Sequence, residues 1–437
     1  MATTGPHRVV VIGSGFGGLF ATKRLHREPV EVTLIDREPY HLFQPLLYQV
    51  TTGILSEGEI APPTRAVLRH QRNARVLLGE VTKIDVIGRT VRSEVAGRVT
   101  VTPYDSLILA AGASQSYFGN DQFADHAPGM KSIDDALRLR GQIFHAFELA
   151  ELAGPGPEQD SWLTFVVVGG GATGVEMAGQ LAELSHHALR GNFSTFDPRN
   201  TRVVLVEAGK GLLPTYGERL STRVRESLER VGVDVRLGAP VTDVDADGVV
   251  LRLPDGSTER IAAKTKIWAA GVSASALGSM VASSPDVQLT RTGQVQVMPD
   301  CSLPGHPEVF VVGDLMALDN LPGVAQVAIQ SGEFAARQIA RRVHGRATDP
   351  EFRYHDKGQL ATIARFRGVA AIGRIRVSGF SAWVLWLVVH LFYLVGFKNR
   401  LTVLIHWAVT FIGGGRSERT APTPPLPGAE TRRATGD

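Results

Sequence analysis

The sequence predicts an α/β fold made of two similar parallel-sheet units followed by an apolar helical C-terminal region, and three observations carry that reading. Gly13-Ser-Gly15-Phe-Gly-Gly18 and Gly169-Gly-Gly171-Ala-Thr-Gly174 stand about 155 residues apart, each directly after a short apolar run. Each is followed by a second apolar run that ends in an acid, Asp36 in the first case and Glu207 in the second. From Phe380 to Phe397 the chain is apolar for 18 residues, interrupted only by Ser381, His390 and Gly396.

Val9 to Ile12 is short, continuous and β-branched, as a strand buried on both faces of a parallel sheet reads. The glycines after it allow a tight turn, bring backbone N–H groups against a pyrophosphate and pack the next helix close to the sheet, with the helix N-terminus facing the phosphate charge. Asp36 closes the strand Val32 to Ile35, 23 residues after Gly13, where a carboxylate accepts hydrogen bonds from ribose hydroxyls. Thr164 to Val168, the second motif, and Val203 to Val206 with Glu207 repeat the order. The gap of 38 residues there exceeds the usual spacing of about 20, and the polar stretch His186 to Arg202 reads as a longer helix and loop. Either motif alone is also compatible with a glycine turn that merely packs a helix on a strand. Two complete copies point to two dinucleotides on one polypeptide.

After Asp36 comes His41 to Gly53, a loop too apolar for an ordinary surface turn; it lies either against a flat ligand such as a flavin ring or under its own domain. Strands are expected at Ala74 to Leu78, Glu80 to Asp85 and Thr90 to Arg92. Tyr104 to Ala113 ends a strand in small residues around Gly112, letting backbone approach a ligand, and Thr265 to Val272, around Gly271, is its counterpart in the second half. Pro307 to Asp314 gives one more acid-ended strand that returns the chain to the first domain. Gly332 to Arg342 reads as a helix after a loop, with Ala335, Ala336, Ile339 and Ala340 on one face. The expected domains are 1–115 with 300–350, 116–299, a C-terminal region 351–415 and a disordered tail 416–437.

Composition narrows the class. At 437 residues, 43% apolar and 20% charged with 47 glycines, the chain fits an α/β enzyme. A net charge of +3, without a basic stripe interleaved with aromatics, makes no case for nucleic acid. Cys301 is the only cysteine, so there is no internal disulfide, no CxxC redox pair and no zinc site of several thiolates; no metal is expected. Met1 to Arg8 is short and polar and leads straight into the first strand, which is read as leaving no room for a secretory signal, so the enzyme part is expected in the cytoplasm. Lys398-Asn-Arg400 separates the apolar run from a second one, Leu401 to Ile412. Three readings compete for this region: a transmembrane helix, a buried core helix, and two helices in the membrane interface with Lys398, Arg400 and Arg416 near headgroups. The tryptophans and flanking cations favour the interface.

Together these motifs resemble the type II NADH dehydrogenases, the single-subunit, non-proton-pumping NADH:quinone oxidoreductases of respiratory membranes, and in particular their actinobacterial branch. The resemblance runs from about Val9 to Ile412. Its most specific element is Ala325-Gln326-Val-Ala328-Ile-Gln330, with His41 to Gly53, Gly174-Val175-Glu176, Trp268 to Gly271, Val312-Gly313-Asp314 and Tyr354 to Gly358 also family-like. It implies two Rossmann-like dinucleotide-binding domains, the first for FAD and the second for NADH, and a C-terminal membrane-associating helical region.

By resemblance, Gly13, Gly15 and Gly18 face the FAD pyrophosphate, Asp36 and Arg37 the adenosine end, and Val81 the adenine. Asp314 meets the ribityl or phosphate portion, and Ala325 with Gln326 reaches the isoalloxazine. Ser14, Phe16, Gly17, Pro45, Gly112 and Lys357 complete the FAD set, while Gly169, Gly171, Gly174, Glu176, Glu207 and Gly271 form the NADH set. Gln326 and Gln330, four apart, would point the same way on a helix. Without the matching pattern they would read as residues satisfying a helix N-terminus.

The implied reaction passes hydride from NADH to FAD and two electrons on to a membrane quinone. Glu176 is the family's candidate for handling a proton, and otherwise a helix N-terminal acid complementing the macrodipole. Glu207 favours NADH over NADPH by repelling a 2′-phosphate, although Lys210 stands nearby. Disulfide reductases and sulfide:quinone oxidoreductases of similar architecture need paired cysteines, which this chain lacks. A soluble NADH oxidase or flavin reductase and a slow flavin redox sensor are the alternatives. The implied setting is a peripheral homodimer on the cytoplasmic face of the cell membrane.

Overall fold

The computed structural model describes residues 5–282, 286–413 and 415–420; the tail expected from 416 onward lies outside them after residue 420. The chain divides into two compact units, the first made of Met1–Phe43, Ala61–Ser114 and Val272–Lys357, the second of Gln44–Ile60, Gln115–Gly271 and Gly358–Asp437.

In the first unit the apolar runs pair into a six-stranded sheet in the order Ser302–Leu303, His306–Val311, Ser106–Leu109, His7–Ile12, Val30–Asp36, Ala74–Leu78. All neighbours are parallel except the first pair. Val9 and Val11 have no exposed surface, which is why this strand has no polar alternation. Ile12 is in register with both Ile35 and Leu109, so the glycine loop and Asp36 emerge at one end of the sheet. Glu80–Asp85, Thr90–Val95 and Arg98–Pro103 form an antiparallel meander.

The helix Phe16–Arg24 packs on the helix Ala325–Val343. A Cβ at Gly332 would stand 2.3 Å from the carbonyl oxygen of Gly17, so these backbones approach as only glycine permits. The second of these helices begins at Ala325, seven residues before the expected start at Gly332, which places Gln326 and Gln330 in its opening turns. The first unit resumes at Val272 and not at 300, because Val295–Gln296 pairs with Met316–Ala317 inside it.

The second unit repeats the plan with a four-stranded parallel sheet, Val233–Leu237, Arg202–Glu207, Thr164–Val168, Thr265–Trp268. The long gap before Glu207 is filled as expected, by the helix Ala172–Glu183, a π-helical turn at Leu184–Ala188 and a loop. Val241–Asp245, Gly248–Arg252 and Thr258–Ala262 form its meander. The apolar segment after His41 is not a loop: it forms a turn at Gln44–Leu46 and a helix Leu47–Thr51, with Leu46, Val50 and Ile54 buried in this unit. Its apolar residues are buried in protein, in the second unit and not in the first domain where the segment was expected.

A three-stranded antiparallel sheet, Gln359–Ala364, Arg367–Ile372 and Ile375–Gly379, was not foreseen from the sequence. It packs on the helix Ala172–Glu183, where a Cβ at Gly179 would lie 1.6 Å from the Ile363 carbonyl oxygen. It also packs on the helix Phe380–Tyr393, where a Cβ at Gly368 would lie 2.8 Å from the Trp383 nitrogen. The C-terminal region is therefore part of the second unit and not a separate domain.

The apolar run from Phe380 breaks into two helices, Phe380–Tyr393 and Phe397–Gly413, at Gly396, whose φ is +96°. The Arg400 guanidinium closes the first helix by donating to the carbonyls of Phe392 and Leu394, each at 2.7 Å. Asn399 Nδ2 donates to the carbonyls of Gly58 at 3.0 Å and Glu59 at 2.7 Å. Among the described residues no helix is long and apolar enough to cross a membrane, which removes the transmembrane reading. Trp383, Trp386 and Trp407 turn inward and are buried; such rings typically cost about 3–5 kcal/mol to truncate to alanine. Phe380, Val384, Val388 and Phe392 on the first helix, and Phe397, Leu401, Leu404, Ile405, Val409 and Ile412 on the second, face outward.

The cations in this region do not all lie where the interface reading put them. Lys398 is exposed, and Arg400 is exposed while bonded to carbonyls. Arg416 is buried and donates to Gln180 Oε1 at 2.9 Å, with Glu183 close by, because the chain folds back over the helix Ala172–Glu183 instead of running into solvent.

Candidate functional site: two glycine cradles

Three glycines in each unit do three different jobs. In the first unit Gly13 has φ +98° and its Cβ would meet the Ala110 carbonyl oxygen at 2.4 Å; at Gly18 a Cβ would meet the Gly13 carbonyl oxygen at 1.8 Å. Gly15, the residue that caps the helix, has no side-chain cap and nothing within 4 Å of its Cβ position. Its first-turn N–H groups thus face open space, as a phosphate cradle requires. Ser14 N–H donates to Asp36 Oδ2, and Glu38 N–H to Oδ1 at 2.9 Å. The acid thereby ties the glycine loop to the neighbouring strand and retains lone pairs for ribose hydroxyls.

Around this loop Phe16 meets the rings of His41 and Phe43 edge-on at 5.3 and 5.6 Å. His41 is buried against the Ser14 carbonyl at 2.8 Å, and burial holds its imidazole down to about 4. Asp314 lies in the turn Gly313–Leu315, just beyond the C-terminal end of the strand His306–Val311, where Gly313 N–H donates to Ser331 Oγ at 3.1 Å. Gly112 has φ +64° and open space beside it. Gly17 packs against the Ala325 helix, Val81 is buried in its strand and Arg37 is exposed. Pro45 is half-buried in the Gln44–Leu46 turn and belongs to the second unit.

Gln326 and Gln330 do point the same way. Lys357 N–H donates to Gln326 Oε1 at 3.1 Å, and Gln330 both accepts from His355 N–H at 3.0 Å and donates to its carbonyl at 2.9 Å. The pair holds the segment 355–357 along the helix that opens at Ala325, and the Lys357 side chain is exposed.

The second unit repeats the cradle residue for residue. Gly169 has φ +113° and its Cβ would meet Ala270 N at 2.7 Å, the Cβ of Gly174 would meet the Gly169 carbonyl oxygen at 1.8 Å, and Gly171 faces open space. Glu207 accepts from Gly170 N–H and from Gly209 N–H, each at 2.6 Å. These donors correspond to those on Asp36: the residue after the first glycine, and the residue two beyond the acid. A cavity of about 320 Å³ opens here between Gly169–Gly171, Glu207, Pro240 and Ala269–Gly271. Phe118 also lines it, 69% exposed, with φ +55° and its ring against Gly271, where a Cβ would be 2.5 Å from Cζ. Sequence reasoning missed Phe118; the cue was an aromatic residue beside the turn-forming Gly119-Asn120.

Glu176, two residues beyond the last glycine, is buried, and Thr362 N–H donates to its Oε1 at 3.1 Å. Burial pushes its carboxyl up to about 8, against the opposing effect of the Thr362 hydrogen bond. Thr362 was invisible from sequence because its sheet was. Both cradles fit a dinucleotide: uncapped helix N-termini, room in front of the middle glycine, and an acid with spare acceptor capacity. Cys301 is buried, its thiol pushed well up by burial, and the chain has no second cysteine with which to form a redox pair.

Residues 7–332 match the pyridine nucleotide-disulphide oxidoreductase family. The type II NADH:quinone oxidoreductase Ndh of Mycobacterium tuberculosis is 55% identical over 416 residues, 95% of this chain and 90% of that protein. NdhA of the same organism is 52% identical over 421 residues, with the same shares of each. Among solved structures, NDH2 of Plasmodium falciparum, determined in complex with NADH, aligns with a TM-score of 0.86 over 94% of this chain and 99% of that one, at 22% identity. The sulfide:quinone oxidoreductase of Aquifex aeolicus aligns with a TM-score of 0.69 over 90% and 91%, at 19% identity. At those identities the structural likeness is one of fold. The extent and level of the two mycobacterial matches decide the family: the chain belongs to the pyridine nucleotide-disulphide oxidoreductases and, within them, to the type II NADH:quinone oxidoreductases.

Proposed function

We propose that this chain oxidises NADH and passes two electrons to a quinone at a membrane surface, with FAD in the first glycine cradle and NADH in the second. The observation that carries this is the duplicated cradle, each copy with its acid tied to the loop, in a chain of this family that has no cysteine pair for dithiol chemistry. Bound FAD supplies the step that couples a two-electron hydride donor to a quinone. The protein's own residues bind, orient and manage protons. Gly13, Gly15 and Gly18 receive the flavin pyrophosphate, with Asp36 and Arg37 at its adenosine end, Val81 at the adenine and Asp314 further along. Ser14, Phe16, Gly17, Pro45, Gly112, Ala325 and Lys357 belong to the same FAD set.

Gly169, Gly171, Gly174 and Gly271 receive NADH, and Glu207 takes its ribose. Gln326 and Gln330, through the segment 355–357 that they hold, serve the quinone side. Glu176 exchanges a proton, its carboxyl being poised by burial to change charge near neutral pH. The apolar stripe at 380, 384, 388 and 392, and the second stripe on the helix Phe397–Gly413, support seating in a lipid surface. Ten half-exposed side chains of this kind gain on the order of 10 kcal/mol on leaving water. That seating favours this reading over a soluble oxidase or a sensor. A peripheral homodimer on the cytoplasmic face completes the proposal, and light scattering in detergent tests the dimer.

Four outcomes check these assignments. Gly15→Val puts a branched side chain where the cradle is open, so the protein folds but purifies without most of its flavin; full flavin absorbance in the variant defeats the site. Glu207→Gln removes the charge that opposes a 2′-phosphate and narrows the NADH to NADPH ratio of kcat/KM by about tenfold; an unchanged ratio leaves Glu207 without its role. In stopped-flow absorbance, Gln326→Ala and Gln330→Ala slow reoxidation of the flavin by quinone more than its reduction by NADH, and equal effects on both half-reactions remove them from the quinone side. Native protein floats with anionic lipid vesicles, and Val388→Asp with Phe392→Ser reduces the floated fraction severalfold; native protein that stays in salt-washed supernatant refutes the membrane assignment.

A further inference from the structure

Five buried side chains of the second unit form one hydrogen-bonded string with a fixed direction. Trp407 Nε1 donates to Gln49 Oε1 at 2.7 Å, and Gln49 Nε2 donates to the Tyr48 hydroxyl at 3.1 Å. The Tyr48 hydroxyl lies 2.9 Å from Thr362 Oγ1, which stands 3.5 Å from Glu176 Oε1. The polarity follows from chemistry alone. An indole N–H can only donate, so Gln49 must present its oxygen to Trp407 and its NH₂ to Tyr48. The single Thr362 hydroxyl proton goes to Glu176 Oε1, so in the contact between Tyr48 and Thr362 it is the Tyr48 hydroxyl that donates. Glu176 Oε1 therefore faces two donors, the Thr362 hydroxyl and the Thr362 N–H at 3.1 Å, and any proton the carboxyl carries is confined to Oε2. Trp407, Gln49, Tyr48, Thr362 and Glu176 are all under a tenth exposed, and hydrogen bonds in such surroundings reinforce one another.

The far end of the string sits on the helix Phe397–Gly413, whose opposite side is the exposed apolar stripe. We propose that Trp407 is a positioning residue for Glu176, acting through Gln49, Tyr48 and Thr362, so that the seating of the C-terminal helix fixes which oxygen of Glu176 carries the exchangeable proton and how readily it is released. This rests on the reading of Glu176 as a proton-exchanging group. Quinone reduction takes up two electrons and two protons. The hydride of NADH brings both electrons and one proton, and the other proton comes from water. A protonated Glu176 that gives up its Oε2 proton becomes a carboxylate and regains a proton from solvent, with no other reactant required.

The string is not the sole influence on Glu176: the Trp386 side chain, whose ring lies 5.7 Å from that of Trp407, also favours the carboxylate. Tyr48 and Tyr216 are neutral phenols raised further by burial, and His390, stacked on Trp386 at 4.0 Å, is held neutral by burial. Glu183, further along the same helix, accepts from Gln180 Nε2 and Arg365 N–H, and Arg416 lies buried beside it. A donated hydrogen bond favours the carboxylate, so weakening the string raises the proton affinity of Glu176.

The test follows flavin reoxidation by a short-chain quinone in full-length FAD-loaded protein across pH. The midpoint of the profile rises by about half a pH unit, a threefold change in proton affinity, in Trp407→Phe, Tyr48→Phe and Thr362→Val. It returns in Thr362→Ser, and Glu176→Gln abolishes the titration. A midpoint unmoved in Trp407→Phe and Tyr48→Phe, with the titration still lost in Glu176→Gln, overturns the string. A titration that survives Glu176→Gln overturns the underlying assignment of Glu176 instead. If Trp407→Phe fails to retain flavin, the Tyr48→Phe and Thr362→Val/Ser comparison decides, since neither change alters packing volume greatly.

Discussion

The structure depends on how closely each glycine helix lies against the carbonyl at the start of its own loop. In both units a Cβ on the third glycine would stand 1.8 Å from the oxygen of the first, Gly18 on Gly13 and Gly174 on Gly169. No side chain relieves such a contact, since backbone would have to move. With that approach fixed, the helix N-terminus stands at the C-terminal edge of the sheet with its first N–H groups uncapped. The acid on the next strand then reaches the loop and locks it. Asp36 and Glu207 are thus structural ties of the loop, which is why they end strands that register directly with the strand before the glycines. The same approach delivers Glu176 to the interior, because two residues past a glycine that tight the helix has already turned under neighbouring structure.

What could be read from the sequence was whatever leaves a local signature. Val9 to Ile12 and Val203 to Val206 are apolar on every residue because both faces of a parallel strand are covered, and Val32 to Ile35 departs from this only at Thr33, so their positions and the duplication were legible. The Gln326–Gln330 spacing was legible as a shared direction, but their partners were not, since His355 and Lys357 are brought there by tertiary folding. The segment from Gln44 was misread as a loop because a helix of five residues, Leu47–Thr51, is too short to show periodicity. The sheet beginning at Gln359 was missed because Leu360-Ala-Thr-Ile-Ala364 is flanked by glycine and arginine and alternates weakly. Thr362 went with it, and with Thr362 the surroundings of Glu176. Arg416 was assigned to headgroups by analogy with other flanking cations; nothing local announces that Gln180 and Glu183 will receive it.

Burying Glu176 has an energetic consequence that shapes its surroundings. An uncompensated carboxylate in an apolar interior is strongly disfavoured, so the group takes up a proton before neutral pH is reached, as its rise to about 8 shows. Its folded proton affinity exceeds that of the unfolded chain. The associated stabilisation is complete below the ordinary glutamate value near 4.5 and is lost as pH rises through about 8. The Thr362 N–H and hydroxyl, both directed at Glu176 Oε1, keep the charged form from becoming inaccessible. The balance between desolvation and donated hydrogen bonds is therefore the property that the surrounding strand and helices maintain.

The C-terminal helices show why an apolar run of spanning length does not span. At about 1.5 Å per residue the two helices are about 21 and 26 Å long, short of a hydrocarbon core of about 30 Å. Length is the lesser obstacle. Crossing the bilayer would strip Asn399 from the carbonyls of Gly58 and Glu59, Trp407 from Gln49 and the His406 ring from Glu59, 2.8 Å away. Each polar group would be left in lipid without a partner, at a cost of several kilocalories per mole apiece. Held against the body of their unit, the helices keep those partners inside and present only the 380–392 stripe and its counterpart on the second helix outward. The chain break at Gly396 and the Arg400 cap make this possible, since they convert one continuous apolar run into two faces, one inward and packed on the unit, one outward and bare.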